Sequence, residues 1–453
     1  MMVGSMPGDD TSFRAILGQK NFARLWYGQI ISSLGDRFYQ FALLYVILGI
    51  KQGLYVGKDS AQVTFLAMLP GFLLAPLYGW TIDRYSRRWV MFYADLARAA
   101  LTLTVLYFWF TLHSLVAVYV VVFFMGAFNG LFIPARQAAL PQIIGQQQLI
   151  AANSLISLIG VIANFVGLPV ASFIVSIFGG YSSFLFNALG FLASAWCIYH
   201  INADLSPQRS AAARKESMWH GILGGWNVLR EQRELRALVI VNSAFSFISA
   251  MVLISILQQI VVSVDLHSVR LLVNTLIKYL AMIAPKPPTF DIRMLAFGLL
   301  MAAIGLGLGL GVALCGLSKK YSHAKALPFL SLGLLGLALI GFATIHEYWP
   351  AVLGAAFMGI LSAFIVVPIE ARLQKDVDDA RRGRLFALRN LCTTTSFLLG
   401  LALNLNGYLL DPNVLGPARL IEIVGITAMV MAAALALVNA RSLSSFWSAH
   451  PKP

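Results

Sequence analysis

Charge is scarce in this 453-residue chain: Asp, Glu, Lys and Arg together make up 11% of it. Cysteine is scarcer still. Cys197, Cys315 and Cys392 are widely spaced and each lies inside an apolar run, which argues against a disulfide framework or a cysteine metal cluster. No His-Glu-x-x-His, zinc-type cysteine spacing, serine elbow or dinucleotide fingerprint occurs, and His113, His200, His267 and His346 stand alone near the ends of apolar runs. No metal and no cofactor is therefore expected, and a membrane-embedded enzyme remains only a remote alternative. The first twenty residues hold Asp9, Asp10, Arg14 and Lys20 with no apolar core, so no cleaved signal peptide is expected.

What fills the chain instead is apolar. Hydrophobic residues make up 59% and the mean hydropathy is +0.77, outside the range of soluble globular domains. The apolar runs do not alternate as barrel strands do, which leaves a polytopic all-α membrane protein. The net charge of +14 sits in short stretches between runs, such as Arg84, Arg87 and Arg88, or Arg381, Arg382 and Arg384. Membrane topology explains that placement, and no nucleic-acid partner is expected.

Twelve spans are expected, roughly Phe22–Ile50, Ala61–Ile82, Trp89–Leu112, Val116–Leu140, Ala151–Phe178, Tyr181–Ile201, Arg236–Val264, Ile292–Leu317, Ala326–Ile345, Tyr348–Leu373, Leu385–Leu410 and Ala418–Ala440. The domains follow: an N-terminal tail 1–21, a six-helix bundle 22–201, a linker 202–235, a second six-helix bundle 236–440 and a C-terminal tail 441–453. The bias of Lys and Arg places both termini and the linker in the cytoplasm. Within the second bundle, 265–291 is an insertion on the other side. Arg270, Asn274 and Lys278 recur every four residues there among Val269, Leu272, Val273 and Leu276, until Pro285, Pro287 and Pro288 end the run. That pattern is an amphipathic helix at the interface, a lid over a cavity mouth, or a re-entrant piece. Gly305, Gly307, Gly309 and Gly311 alternate in the eighth span with no Gly-Lys-Ser/Thr after them, which reads as close helix packing and not as a phosphate loop.

An internal repeat runs through the two halves. The fourth span ends Pro134-Ala135-Arg136-Gln137 and the tenth ends Pro368-Ile369-Glu370-Ala371-Arg372. Between the second and third spans lies Gly79-Trp80-Thr81-Ile82-Asp83-Arg84-Tyr85-Ser86-Arg87-Arg88, and Gly316-Leu317-Ser318-Lys319-Lys320-Tyr321 echoes it after the eighth. In the first copy, Gly79 would let the two backbones approach closely.

That signature resembles the loop between helices two and three of the major facilitator superfamily of secondary transporters. The resemblance implies two pseudo-symmetric six-helix bundles with substrate between them. It also implies a gating charge network of Asp83, Arg84, Arg88, Asp95 and Arg136, with Gly79 and Arg87 completing the signature. Glu370, Arg372 and Arg389 are expected as gate ion pairs in the second half. Asn21 to Asp36, Pro134 to Pro141 with Asn153, and Gly383-Arg384-Leu385-Phe386 resemble the branch holding macrolide-type drug exporters, siderophore exporters and the lysophospholipid transporter. The fifth span departs from proton-coupled drug antiporters, carrying only Gly160 and Gly167-Leu168-Pro169. The lysophospholipid resemblance implies charged partners in spans seven and eight, and none lies between Ala237 and Val264 or between Met294 and Leu317.

The candidate substrate or proton site is a polar stripe in the first span. Gln29, Ser32, Ser33, Asp36 and Gln40 share one helix face, and a carboxylate at mid-membrane is functional unless it is held in a fixed ion pair, with Arg37 or with an arginine of another helix. Asn242, Ser243, Ser246 and Ser249 give the seventh span a polar face that lines the cavity or glues helices. The expectation is a monomeric transporter in a bacterial inner membrane, exporting amphipathic or organic molecules by alternating access, driven by a cation or proton gradient. Its partners are a small-molecule or lipid-like substrate and membrane lipids, and a lysophospholipid flippase is the alternative.

Overall fold

The computed structural model describes residues 13–51, 56–112, 114–145, 148–206, 218–281, 292–317, 326–375, 377 and 379–438. Among these the chain is helical, and the one β-type contact is an isolated bridge between Asp265 and Glu347. The helices are α1 (Phe13–Gly18), α2 (Lys20–Lys51), α3 (Val56–Leu73), α4 (Ala75–Arg84), α5 (Arg87–Leu112), α6 (Leu115–Ile143), α7 (Leu149–Ile162) and α8 (Leu168–Tyr199). There follow α9 (Met218–Glu231), α10 (Arg233–Val262), α11 (His267–Ala281), α12 (Ile292–Leu317), α13 (Leu327–Ala343), α14 (Tyr348–Lys375), α15 (Asp379–Ala402) and α16 (Pro417–Val438).

Eight helices among the described residues are individually long and apolar enough to cross a membrane: α5, α6, α8, α10, α12, α14, α15 and α16. The pair α3 and α4, bent by 54°, makes a ninth if taken as one span. Pro70 lies inside α3 and Pro76 in the first turn of α4, so the ladder is interrupted where the axis turns. The remaining expected spans correspond to α2, to α7 and to the shorter α13.

Three boundaries differ from the sequence reading. No break separates Phe178 from Tyr181: α8 runs through Gly179-Gly180 for 32 residues, because nothing charged and no proline after Pro169 interrupts it. At ~1.5 Å per residue that is about 48 Å. A π-helical turn at Ala163–Gly167 separates it from α7. The eleventh span stops at Ala402 instead of Leu410, because Asn404 to Gly407 supplies a turn in which Gly407 takes a left-handed φ of 74°. Within the expected linker lies α9, whose Val228 and Leu229 are buried.

The chain divides into two compact units, one of Met1–Ile50 and Leu66–Ser210, the other of Lys51–Phe65 and Ala211–Pro453. In the first, α5 packs on α6 and α8, and α4 on α6. One apolar cluster joins Tyr78, Ile82, Met91, Phe132 and Ile198, and another joins Ile16, Phe22, Trp26, Leu140 and Ile159. In the second, the closest pairings are α12 with α14, α13 with α16 and α10 with α15. Gly307 and Gly311 bring α12 against the Ala356 and Ile360 backbone of α14, as the alternating glycines lead one to expect. The first half of α3 also belongs to this unit. Its Ala61 sits in the core, the Gly57 N–H donates to Gln258 Oε1 at 2.8 Å, and Gln62 Nε2 donates to the Leu405 carbonyl at 2.9 Å.

Large apolar side chains point outward along the helices, including Val116, Leu353 and Leu437, which suits a lipid surrounding. The helix expected in the insertion is α11. It buries Val269 and Val273 in the core of its unit and exposes Arg270, Asn274 and Lys278. Asp265 Oδ1 accepts the His267 N–H at 2.8 Å at its start. Pro285, Pro287 and Pro288, and the signature echo at 318–321, lie outside the described residues.

Candidate functional site

The first unit gathers most of its buried polar groups into one network across four helices. It begins on α2, where Gln29 and Ser32 are buried and Asp36 and Arg37 half-buried. The helix can present them inward because Gly28 and Gly35 let it approach α8 closely. A Cβ at Gly28 would lie 3.0 Å from Cys197 Cβ, and one at Gly35 would lie 2.7 Å from Asn187 Oδ1. Facing it, α8 offers Ser183, Asn187 and Ser194, all buried and spaced to share one face with Gly190.

From Gln29 the network runs both ways. Its Oε1 accepts from Arg136 Nη1 on α6 at 2.8 Å, and its Nε2 donates to Ser194 Oγ at 3.4 Å. Ser194 in turn hydrogen-bonds the Asp95 carboxylate on α5. Asp95 is ion-paired with Arg98 one turn along the same helix. Arg98 Nη1 then donates to Asn129 Oδ1 on α6 at 3.3 Å, and its guanidinium lies over the rings of Phe132 and Phe191, 4.6 and 4.3 Å from their centroids. Thr102 extends the α5 face, accepting from Asn187 Nδ2 at 3.3 Å. Asp36 makes no hydrogen bond among the described residues but stands within electrostatic reach of Arg98 and Arg37. Asp95 and Arg98 lie roughly 12–17 Å along α5 from Arg87, so the network is well inside the span.

Several expected partnerships are not formed. Asp83 is exposed and makes no ion pair within its unit among the described residues, and Gly79 has open space where a Cβ would stand, so close backbone approach is not its role there. Arg84 lies over the Trp80 ring, and Arg88 lies over Trp89 while donating to the Ile201 carbonyl at 2.9 Å. Arg87 is tied to the Leu205–Ser206 segment through its backbone and side chain. The expected single network of Asp83, Arg84, Arg88, Asp95 and Arg136 is therefore two groups: surface arginines held by rings and carbonyls, and an inner network holding Asp95 and Arg136. Nearby, Asp204 accepts from the Ser206 N–H at 3.0 Å, which holds its carboxyl below the usual range.

Of the other candidates, Ser33 is half-buried and Gln40, exposed, accepts from Arg37 Nη1 at 3.1 Å. In the second unit Glu370 on α14 is ion-paired with Arg389 on α15, whereas Arg372 is half-buried and apart from that pair. Asn242 is buried and its carbonyl accepts from Ser246 Oγ at 3.0 Å, so both serve the helix itself as well as any cavity. Sequence reasoning missed Thr102, Asn129, Asn187 and Ser194. The signal was present, since Ser183, Asn187, Gly190 and Ser194 repeat at spacings of four, three and four. No group of His, Cys, Asp and Glu among the described residues is arranged to hold a metal ion.

Apolar helices of spanning length around an internal charged network are the form of a membrane transporter, and comparison with known proteins decides the family. The profile of the Major Facilitator Superfamily matches residues 25–401. The chain belongs to that superfamily. It is accordingly an integral membrane transporter and not an enzyme, and its fold is the all-α facilitator fold. It is 24% identical over 399 residues to YfiS, an uncharacterized MFS-type transporter of Bacillus subtilis, covering 85% of this chain and 86% of that one. It is 22% identical to macrolide efflux protein A of Streptococcus pyogenes, over 84% of this chain and 88% of that protein. It is 27% identical to the lysophospholipid transporter LplT of Yersinia enterocolitica, over 83% and 84%. Among solved structures, the nucleoside transporter NupG aligns with a TM-score of 0.61 at 13% identity, covering 92% of this chain and 98% of that one. A bacterial homologue of the iron transporter ferroportin in an inward-facing state aligns at 0.61 and 14%, with the same coverage.

Proposed function

We propose that the protein exports amphipathic organic molecules by alternating access of the bundles 22–201 and 236–440, driven by a proton or other cation gradient through Asp36. The observation that carries this reading is Asp36 itself: a half-buried carboxylate in a membrane helix, without a hydrogen bond among the described residues, beside a network whose other carboxylate is already paired. Such a group is costly to keep charged in an apolar span and is free to exchange a proton or a cation as its surroundings change. Similarity to macrolide efflux protein A supports the drug-type substrate class. We take the protein as a monomer in a bacterial cytoplasmic membrane with both termini and the 202–235 linker in the cytoplasm, and with Asp83, Arg84, Arg88, Glu370 and Arg389 in gates.

The test is transport in proteoliposomes of a fluorescent macrolide-type substrate with and without a pH gradient. Asp36→Asn should reach the membrane at parental levels and lose gradient-driven transport, and Asp36→Glu should keep part of it. Parental transport by Asp36→Asn would reduce Asp36 to a structural polar contact. Lysophospholipid transport is the second reading, favoured by the 27% identity to LplT. The same vesicles with radiolabelled lysophospholipid separate the two.

A further inference from the structure

The inner network of the first unit does not balance its charges. It holds three guanidiniums, Arg37, Arg98 and Arg136, against two carboxylates, Asp36 and Asp95. Asp95 is committed to Arg98. The hydrogen bonds of Arg37 and Arg136 go to neutral amides, the side chains of Gln40 and Gln29, and of the two only Arg37 has a carboxylate, Asp36, within electrostatic reach. Of these two, Arg37 directs its bond to exposed Gln40, while Arg136 turns inward onto buried Gln29. Arg136 also feels the like charge of Arg98. Its Nε–H is buried without an acceptor, and so are those of Arg37 and Arg98.

A guanidinium inside an apolar span, with a neutral partner and a cationic neighbour, lacks the counter-charge that would offset its desolvation. Asp36 does not supply it, since the guanidiniums within its electrostatic reach are those of Arg98 and Arg37 and not that of Arg136. Arg136 nevertheless stays half-open to its surroundings, roughly 10 Å along α6 from the helix end at Ile143. Its planar fork suits a compact group of several oxygens, which it can hold through two parallel charge-assisted bonds. One turn away along α2 and α6 the residues become apolar, with Trp26, Phe132 and Leu140 in the flanking clusters. These side chains are buried in their own clusters, so it is the passage through an apolar span that calls for a group carried on an apolar body.

We infer that Arg136 and Gln29 form a receiving site for an anionic headgroup, a phosphate monoester or carboxylate on an apolar tail. This rests on the transport reading for the use of the site, though not for its binding chemistry. It also moves Arg136 from the gate, where the signature would put it, to cargo recognition, because its partner is Gln29 and not Asp83.

The test is binding to the purified full-length protein in phosphatidylcholine nanodiscs, followed by thermophoresis. The probes are n-dodecyl phosphate, n-dodecyltrimethylammonium, lysophosphatidic acid and inorganic phosphate. The parent should bind n-dodecyl phosphate about 10- to 100-fold more tightly than the ammonium probe, the range of one charge-assisted contact. Arg136→Gln should erase that preference, and Arg136→Lys should keep its sign with weaker affinity because the fork is gone. Tighter binding of lysophosphatidic acid than of n-dodecyl phosphate would assign the headgroup to a lipid; weaker binding would assign it to a non-lipid anion. Competition by inorganic phosphate supports recognition of the group itself. Equal affinity for the two dodecyl probes, or parental selectivity in Arg136→Gln, overturns the inference. Where Arg136→Gln fails gel filtration, unchanged affinity in Arg136→Lys overturns it. If no probe is transported in proteoliposomes but the selectivity persists, the transport reading falls and the anion site stands.

Discussion

Asp95 and Arg98 form an ion pair one helical turn apart on α5, with both side chains withdrawn from solvent at 0% and 4% exposure. A pair buried this deeply is held by what surrounds it. Ser194 takes part of the carboxylate's capacity, Asn129 takes one guanidinium hydrogen, and the guanidinium lies over the rings of Phe132 and Phe191.

Removing one member should therefore be worse than removing both. Asp95→Ala leaves a buried guanidinium unpaired and should cost about 3–5 kcal/mol of stability. Asp95→Asn combined with Arg98→Gln should recover much of that loss. Thermal unfolding of detergent-purified variants, followed by size-exclusion chromatography, measures both. A double variant as unstable as the single would show that the rings and not the charges carry the site.

Gly79 and Gly126 separate two meanings of glycine. A Cβ at Gly126 would overlap the Ala67 carbonyl, whereas one at Gly79 would meet nothing. Gly126→Val should destabilise by about 1–3 kcal/mol, the range for overpacking against a backbone that cannot move aside. Gly79→Ala should be neutral or stabilising by about 0.5–1 kcal/mol, because the residue lies in a helix. Melting temperatures of the two variants decide it, and a large loss at Gly79 would restore the close-approach role to the signature.

Asp83 is exposed and without an ion pair in its unit, so Asp83→Asn should change stability by less than about 0.5 kcal/mol. A gate residue biases one conformer, and a coupling of ~1–3 kcal/mol would shift the conformer populations roughly five- to 150-fold and so slow turnover. Unchanged melting with slowed transport is the expected combination. Unchanged transport would remove Asp83 from the gate.

Single cysteines at Ser210 and Ser268 test the topology in intact cells. The first should label only after permeabilisation and the second from outside. Labelling of both from one side would overturn the cytoplasmic assignment of the linker.

Much of this protein is legible in its sequence, and the illegible parts have common causes. Apolar length and the placement of arginines locate the spans, because lipid permits little else. The bounds of α12 at Ile292 and Leu317 agree with the reading from sequence. What the pattern does not carry is partnership. Arg136 lies near the signature in expected depth, yet its partner is Gln29, 107 positions away on α2. The stripe of Ser183, Asn187 and Ser194 passes for ordinary helix glue until α2 is set against it. The helix α9 hides in a polar linker because it is only 14 residues long and lies inside a longer hydrophilic segment, and its packing against α15 and α10 gives it a buried face.

The sharing of α3 between the two units has a consequence for biosynthesis. Lys51–Phe65 leaves the ribosome early, together with the helices of the first unit, yet its Ala61 belongs to a core whose other members are all translated after Ala211. The early segment must wait in the bilayer, with the Gly57 amide and the Gln62 side chain still seeking Gln258 and Leu405, until α10 and α15 arrive. The second unit thus matures around a strut supplied in advance, and a C-terminal half expressed alone begins without it.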